Sequence, residues 1–370
     1  MTQCSKAEKQ LTAGFDLGDS YSYLYVVDTT TGEVIEETRL PTNPETFHRY
    51  FADREAMHVA VETGKHSPWV SRLLAACGHE VLVANARKLS FIYRNERKSD
   101  RSDAENLARV ARLDPKLLAP IEHRNETAQA DLALLRSRDT LVKTRTQLIN
   151  HVRGVVNSFG NRLPKCSSAA FHNKVVDHLP EPLRPALVPM LATLAELSQQ
   201  IESCNETIQR LVEERYPETQ TLRQISGVGA LTALTSILTL ESPSRFKNGR
   251  QVGAYLGLTP ALHQSGDANP RRRISKAGDE LLRHLLVECA HFIVRPSSPD
   301  SDLKRHGEKL MQRGGAYARN QAVVAVARKL AVLLQHLWLT GGVRWCVTGD
   351  AAFAEKPFAE QVLKKGVGTC

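Results

Sequence analysis

The chain has 370 residues, 42% hydrophobic and 24% charged, with 49 Lys and Arg against 40 Asp and Glu for a formal net charge of +9. This composition excludes a disordered or fibrous chain and allows two or three domains with sizeable cores. The surplus of positive charge favours a polyanionic partner, nucleic acid before membrane.

The surplus is local. Residues 245–329 hold 16 Lys and Arg against 7 Asp and Glu, a net of +9, so the rest of the chain sums to zero. Cys4, Cys77, Cys166, Cys204, Cys289, Cys346 and Cys370 are odd in number and scattered, with no CxxC. That pattern argues against a disulfide framework or zinc ribbon and fits a reducing cytoplasm. The N-terminal MTQCSKAEKQLTAGF has no apolar core of a signal peptide.

The first elements alternate in type. Apolar runs at 12–17 and 21–28, a TTTG turn and the alternating 33–40 predict three strands. A helix follows in PTNPETFHRYF, then a buried-type strand at 57–62, a helix from Ser67, a strand at 79–84, and a helix at 102–113. The capping box of that last helix is read as Ser102 with Glu105. A meander followed by βαβ crossovers predicts a mixed sheet flanked by helices.

The middle of the chain is helical. Leu187, Leu194, Ile201 and Ile208 recur every seven residues, with Met190, Leu197, Cys204 and Leu211 in the second register. Leu135, Val142, Ile149 and Val156 repeat likewise before a Pro-containing bend. Two such helices could form an antiparallel hairpin, dimerise, or pack within one bundle. The last third opens on ISGVG, where Gly227 and Gly229 lead into an apolar helix. This is either a plain turn or a helix-hairpin-helix element whose amide groups take a phosphate. The run AVVAVARKLAVLLQHLWL at 322–339 is broken by Arg328 and Lys329 and reads as a packed helix rather than a membrane span.

Four acids stand out. Asp16 ends the first strand, where strand interiors disfavour Asp. Glu62 ends the fourth, at the carboxyl edge where open α/β sheets bind ligands. Asp100 and Asp103, three apart in KSDRSDA, share a helix face amid Arg94, Arg97, Lys98 and Arg101. The two could simply complement a helix N-terminus. If the first and fourth strands are neighbours, Asp16 and Glu62 converge, a helix packed there could add Asp100 and Asp103, and four carboxylates this close would repel unless cations such as Mg²⁺ or Mn²⁺ neutralised them. Two-metal carboxylate sites handle phosphodiester chemistry. The neighbouring Arg and Lys would meet a phosphate backbone.

The D…E…D-x-x-D set and topology resemble an RNase H-like fold of the RuvC type. GFDLG, VETGKHSPWVSRLLAACGHEVLVANARK, KSDRSDAENLA, ISGVG, FKNGRQVGAYLGLTP, QSG, RRRISKAGDELLRHLL and AVVAVARKLAVLL together resemble the DEDD transposases of the IS110 insertion-sequence family, the bridge-RNA-guided recombinases. The resemblance covers residues 12–112 and 220–339.

It implies an α/β RuvC-like domain over 1–122, an all-α coiled-coil linker over 123–217, a mainly helical transposase domain over 218–340 and a tail over 341–370. It further implies Asp16, Glu62, Asp100 and Asp103 as catalytic metal ligands for Mg²⁺ or Mn²⁺, and Ser265 of HQSG as nucleophile. His263 has no assigned role. Arg271, Arg272, Arg273 and Lys276 would neutralise phosphate charge or merely contact the backbone. The implied partners are donor and target DNA, a structured noncoding guide RNA and further copies of the chain, as dimer or tetramer, in a bacterial cytosol. Ser226 stands where relatives more often have proline. Two other readings stay open: a metal nuclease or junction resolvase using water, and a non-catalytic nucleic-acid scaffold.

Overall fold

The computed structural model describes residues 11–86, 99–261 and 273–341. The chain divides into two compact units, Met1–Asn125 and Glu126–Cys370.

The first unit is a five-stranded mixed sheet. Its strands are β1 (Leu11–Asp16), β2 (Tyr21–Asp28), β3 (Val34–Pro41), β4 (His58–Glu62) and β5 (Glu80–Ala84), in spatial order β3-β2-β1-β4-β5. β1–β2 and β2–β3 pair antiparallel, while β1–β4 and β4–β5 pair parallel. The expected meander and crossovers are therefore present, and the first and fourth strands are neighbours.

Side-chain alternation along each strand sorts two faces. Ala13, Phe15, Leu24, Val26, Val59, Val61 and Val83 point into one core. There they meet α1 (Pro44–Phe51) and α2 (Ser67–Ala76) through Phe47, Phe51, Val70 and Leu74. Asn43 caps α1 by accepting from the Thr46 amide at 2.8 Å. The opposite face carries Gly14, Ala60 and Ala84 beside Tyr25 and Val27, and takes α3 (Asp100–Leu113) through Ala104, Leu107, Ala108 and Ala111.

The second unit is helical. α4 (Glu126–Ser158) and α6 (Arg184–Glu214) run antiparallel, joined through α5 (Phe171–Val175). The direction is fixed by Arg138 bonding Asn205 at 2.7 Å and Arg145 bonding Ser198 at 3.3 Å, since the partner number falls as the first rises. The hairpin is thus formed within one chain. Leu187, Leu194, Ile201 and Ile208 are all buried, as the heptad predicts. The second register is only half-buried, and Leu191 and Val212 are buried instead.

Both ends of the hairpin are well packed. At the base, Asp131 accepts from Arg215 at 2.8 and 2.9 Å and from the Tyr216 hydroxyl at 2.6 Å. At the tip, Val152, Val156, Phe171, Val175 and Leu187 form a separate core. Between Leu135 and Ile149 no side chain of α4 is fully buried. There the Nε of Arg145 is buried without a hydrogen-bond partner, and burial, followed by the charge of Arg138, disfavours its protonated form.

The remaining helices are α7 (Thr219–Leu222), α8 (Ala230–Leu240), α9 (Gly249–Tyr255), α10 (Glu280–Ile293), α11 (Asp302–Met311) and α12 (Ala318–Thr340). α8 is the hub. Ala233, Ile237 and Leu240 enter the core shared with α10 and α12, and Leu234 and Leu238 face the base of the hairpin. α12 is long and apolar enough by composition to cross a membrane, yet Val323, Val326, Ala327, Leu330 and Leu334 are spent on the α10–α12 core. This agrees with the packed-helix reading.

Three half-buried histidines resist protonation. His123, whose Nε2 lies 2.9 Å from Ser67 Oγ, is held below the usual histidine range by burial and then by Arg72 and Arg124. Burial alone lowers His336. Burial, then Lys329, Arg313 and Lys309, lowers His306. The unfolded chain takes up these protons near the ordinary value of about 6.5, where the folded chain does not. Stability is therefore full above that pH and is lost as pH falls through it. The thermal midpoint should be lower at pH 5.5 than at pH 7.5. In a His123→Gln/His336→Gln variant the gap should narrow; an unchanged gap would remove these groups as its source.

Candidate active site

The parallel register of β1 and β4 pairs Phe15 with Val61. One residue further, Asp16 and Glu62 end their strands side by side at the same edge of the sheet. Both are half-buried. The convergence expected of these two acids is therefore present.

α3 supplies the other pair. Its N-cap is Ser99, not Ser102, and the helix starts at Asp100, two residues before the expected position. The Ser99 side chain accepts from the Ser102 amide at 3.2 Å, and the Ser102 hydroxyl closes the box on the Ser99 amide at 3.3 Å. Serine at N3 replaces the usual Glu or Gln, so the Ser102–Glu105 reading was displaced by one turn. Glu105 instead pairs with Arg109 at 2.8 Å. Asp100 and Asp103 both fall in the first turn, with Asp100 exposed and Asp103 only 6% exposed.

Gly14 sets how closely α3 lies on the sheet. A Cβ there would sit 2.0 Å from the Ala104 carbonyl oxygen and 2.4 Å from the Ala108 nitrogen. The absent side chain thus brings the turn containing Asp103 down onto β1, the strand that ends in Asp16. The resulting donors are all carboxylate oxygens, the type that suits Mg²⁺ or Mn²⁺. As they stand, however, no three His, Cys, Asp or Glu side chains among the described residues group closely enough to hold a metal ion. Asp16, Glu62 and Asp103 all have polar partners of their own.

Of the expected phosphate contacts nearby, Arg101 is already engaged. Its Nε and terminal nitrogen grip Glu37 of β3 at 2.6 and 2.7 Å, and this pairing holds the guanidinium firmly protonated. Arg94, Arg97 and Lys98 lie outside the described residues.

The second unit contains the residues that flank the serine segment. Ser265, His263, Arg271 and Arg272 lie outside the described residues, but the neck of the segment is defined. Pro260 and Ile274 form an antiparallel bridge, the Ala261 amide donates to Arg273 O at 3.0 Å and the Ser275 amide to Thr259 O at 2.9 Å. Residues 261 and 273 are therefore side by side. Arg273 and Lys276 are exposed at this neck.

Two glycines missed in the sequence build the support beneath the neck. A Cβ on Gly257 would meet the Ala277 backbone at 2.3 Å, and one on Gly278 would meet Tyr255 O at 2.0 Å. Arg283 of α10, also missed, ties the two sides of the neck by donating to Leu256 O at 3.1 Å and Ala277 O at 2.9 Å. The signal for the glycines was their presence in GLTP and KAGDE; a long-range arginine to carbonyl bond has no local signature.

Gly227 and Gly229 are exposed at the start of α8, whose first turn has no side-chain cap. With Thr232, Glu288, Cys289 and Phe292 they line an open cleft of about 530 Å³.

Comparison with known proteins finds two matched stretches, the first of which runs past the boundary between the units and through α4. Residues 13–160 match the DEDD-type IS110 family model described as a transposase, and residues 219–306 match the one described as transposase IS116/IS110/IS902 family. The first stretch contains all four acids and the second contains Ser265. A "Probable family 20 transposase" of Pseudomonas aeruginosa is 31% identical over 286 residues, 75% of this chain and 82% of that protein. The transposase for insertion sequence element IS1328 of Yersinia enterocolitica is 30% identical over 282 residues, 74% and 81% of the two chains. The transposase for insertion sequence element IS1111A of Coxiella burnetii is 31% identical over 248 residues, 65% and 67%.

Proposed function

Because the chain belongs to the IS110 family of insertion-sequence transposases, we propose that it recombines DNA through a covalent phosphoserine intermediate, with Ser265 as nucleophile and Asp16, Glu62, Asp100 and Asp103 as a carboxylate cluster. The observation that carries this reading is the meeting of Asp16 and Glu62 at one sheet edge, with α3 laid against β1. We read the mixed sheet as RNase H-like, with the helical hairpin as a linker to a transposase domain from residue 218.

In this scheme the Ser265 hydroxyl attacks a DNA phosphodiester. The Ser–O–P bond forms as the P–O bond to a deoxyribose breaks, and the proton lost by the serine ends on the departing hydroxyl. A hydroxyl of another strand then attacks the phosphoserine and restores the free serine, so rejoining needs no external energy. To hold Mg²⁺ or Mn²⁺ the four carboxylates would have to draw closer than they stand; the ion when bound supplies Lewis acidity to the phosphoryl group. Arg271, Arg272, Arg273 and Lys276 would offset the charge on the phosphate. A guide RNA would select the DNA ends, and copies of the chain would assemble as a dimer or tetramer to bring strands together.

The test is a covalent adduct between protein and end-labelled DNA, trapped under denaturing conditions with matched RNA and Mg²⁺. The wild-type chain should give the adduct and Ser265→Ala should give none. Metal-dependent cutting that persists in Ser265→Ala would establish instead the nuclease reading, in which the carboxylates act with water.

A further inference from the structure

We infer that the turn between α11 and α12 is a binding surface for single-stranded DNA, in which an unpaired base stacks on Tyr317 while Arg313 and Arg319 hold the adjoining phosphates. The turn lies outside both stretches that match the family models, 13–160 and 219–306.

The charge comes first. Residues 303–329 contain seven Lys and Arg (304, 305, 309, 313, 319, 328 and 329) and one acid, Glu308, a net of +6. That is most of the +9 carried by residues 245–329. Part of it has internal work. Lys304 donates to the carbonyls of Pro296 and Ser298 at 2.9 and 2.7 Å, and Arg305 pairs with Asp300 and Asp302. Lys309, Arg313 and Arg319 are exposed and make no ion pair among the described residues. Lys309 and Arg313 stand close enough to His306, together with Lys329, to oppose its protonation, so cations from α11, the turn and α12 gather in one place. The first turn of α12 carries no acid to offset them.

The aromatic group is the second observation. Tyr317 is 69% exposed, more than any other aromatic side chain among the described residues. Its ring packs on no other described ring. It follows Gly314 and Gly315, which take φ of 72° and 98°, and a Cβ on either would have nothing within 4 Å. Residues 312–317 are all exposed. An open backbone, a free aromatic face and flanking unpaired arginines form the combination that binds single strands, because every unpaired base offers a π-face and the backbone offers phosphates. A duplex covers both faces of its bases and fits the arginines alone. The family's members are named transposases, which act on DNA, so DNA is the occupant assigned here and single-stranded RNA is the alternative that the test separates. This surface rests on that DNA-acting reading but not on Ser265 or the carboxylates.

The test uses the full-length chain and a labelled 20-nucleotide single-stranded DNA, with the same sequence as duplex DNA and as single-stranded RNA. Tyr317→Ala should weaken single-stranded DNA binding by about tenfold and leave duplex binding unchanged, while Tyr317→Phe should bind as wild type. Arg313→Ala/Arg319→Ala should weaken binding and lower the salt slope by about 0.7 per lost phosphate contact. Wild-type affinity in Tyr317→Ala, equal loss for single strand and duplex, or loss confined to RNA would each overturn the assignment. The adduct assay is independent. A missing adduct with the Tyr317 effect present defeats only the serine chemistry, and an intact adduct with no Tyr317 effect defeats only this surface.

Discussion

Asp103→Asn should abolish recombination while leaving the fold in place. The substitution keeps the size of the side chain and removes its charge. The structural cost is the favourable placement of a carboxylate in the first turn of α3, about 0.3–1 kcal/mol, together with any weakening of the contact this buried side chain already makes. The functional cost should be far larger. Groups that merely orient metal ligands are worth roughly 10–100-fold when removed, so the loss of a ligand itself should exceed that range. Strand-exchange assays with matched DNA and RNA check the activity, and thermal unfolding of the same preparation checks the fold. Retained exchange would return Asp103 to the role of a helix-start acid.

Gly14→Ala should be among the most damaging single changes in the first unit. The new methyl group would overlap the backbone of α3 at Ala104 and Ala108, and backbone atoms cannot rotate away as a flexible side chain can. Overpacking a core costs about 1–3 kcal/mol and occasionally more; the upper end is expected here, or about 10 °C in thermal midpoint. Because α3 must lift from β1 to make room, activity should fall together with stability. Gly64→Ala is the control: a Cβ there meets nothing within 4 Å, and its midpoint should be nearly unchanged. A Gly14→Ala protein as stable as Gly64→Ala would show that α3 does not lie this close to the sheet.

The sheet was largely legible because it is written in two local signals, alternation and turn residues. Buried strands such as HVAVE carry both, but the pairing of β1 with β4 stays conditional in the sequence, because a crossover does not say which existing strand it returns to. Asp16 and Glu62 were legible for the same reason, each being an acid at the end of an apolar run. The start of α3 was misplaced because two serines three apart both satisfy the first half of a capping box, and Glu105 completed the wrong one. The Arg101–Glu37 pair spans 64 residues, a separation at which neither residue predicts the other. Gly14 was visible as a glycine within a strand, a known sign of close backbone approach, but what approached it could be learned only from the packing of α3. The hairpin heptads gave the right buried register in α6, and its second register failed because antiparallel packing within a single chain drew in Leu191 and Val212 instead.

The hairpin has a mechanical consequence. α4 alone is about 50 Å long at 1.5 Å per residue. It is clamped at its base by Asp131, Arg215 and Tyr216 and at its tip by an apolar core, whereas Arg138, Arg145, Ser198 and Asn205 occupy its midsection. Polar contacts that exchange readily with water yield under load before close-packed apolar ones do. Although Leu194 and Ile201 are buried there, the backbone amides of the midsection should therefore exchange with solvent faster than those at either clamped end.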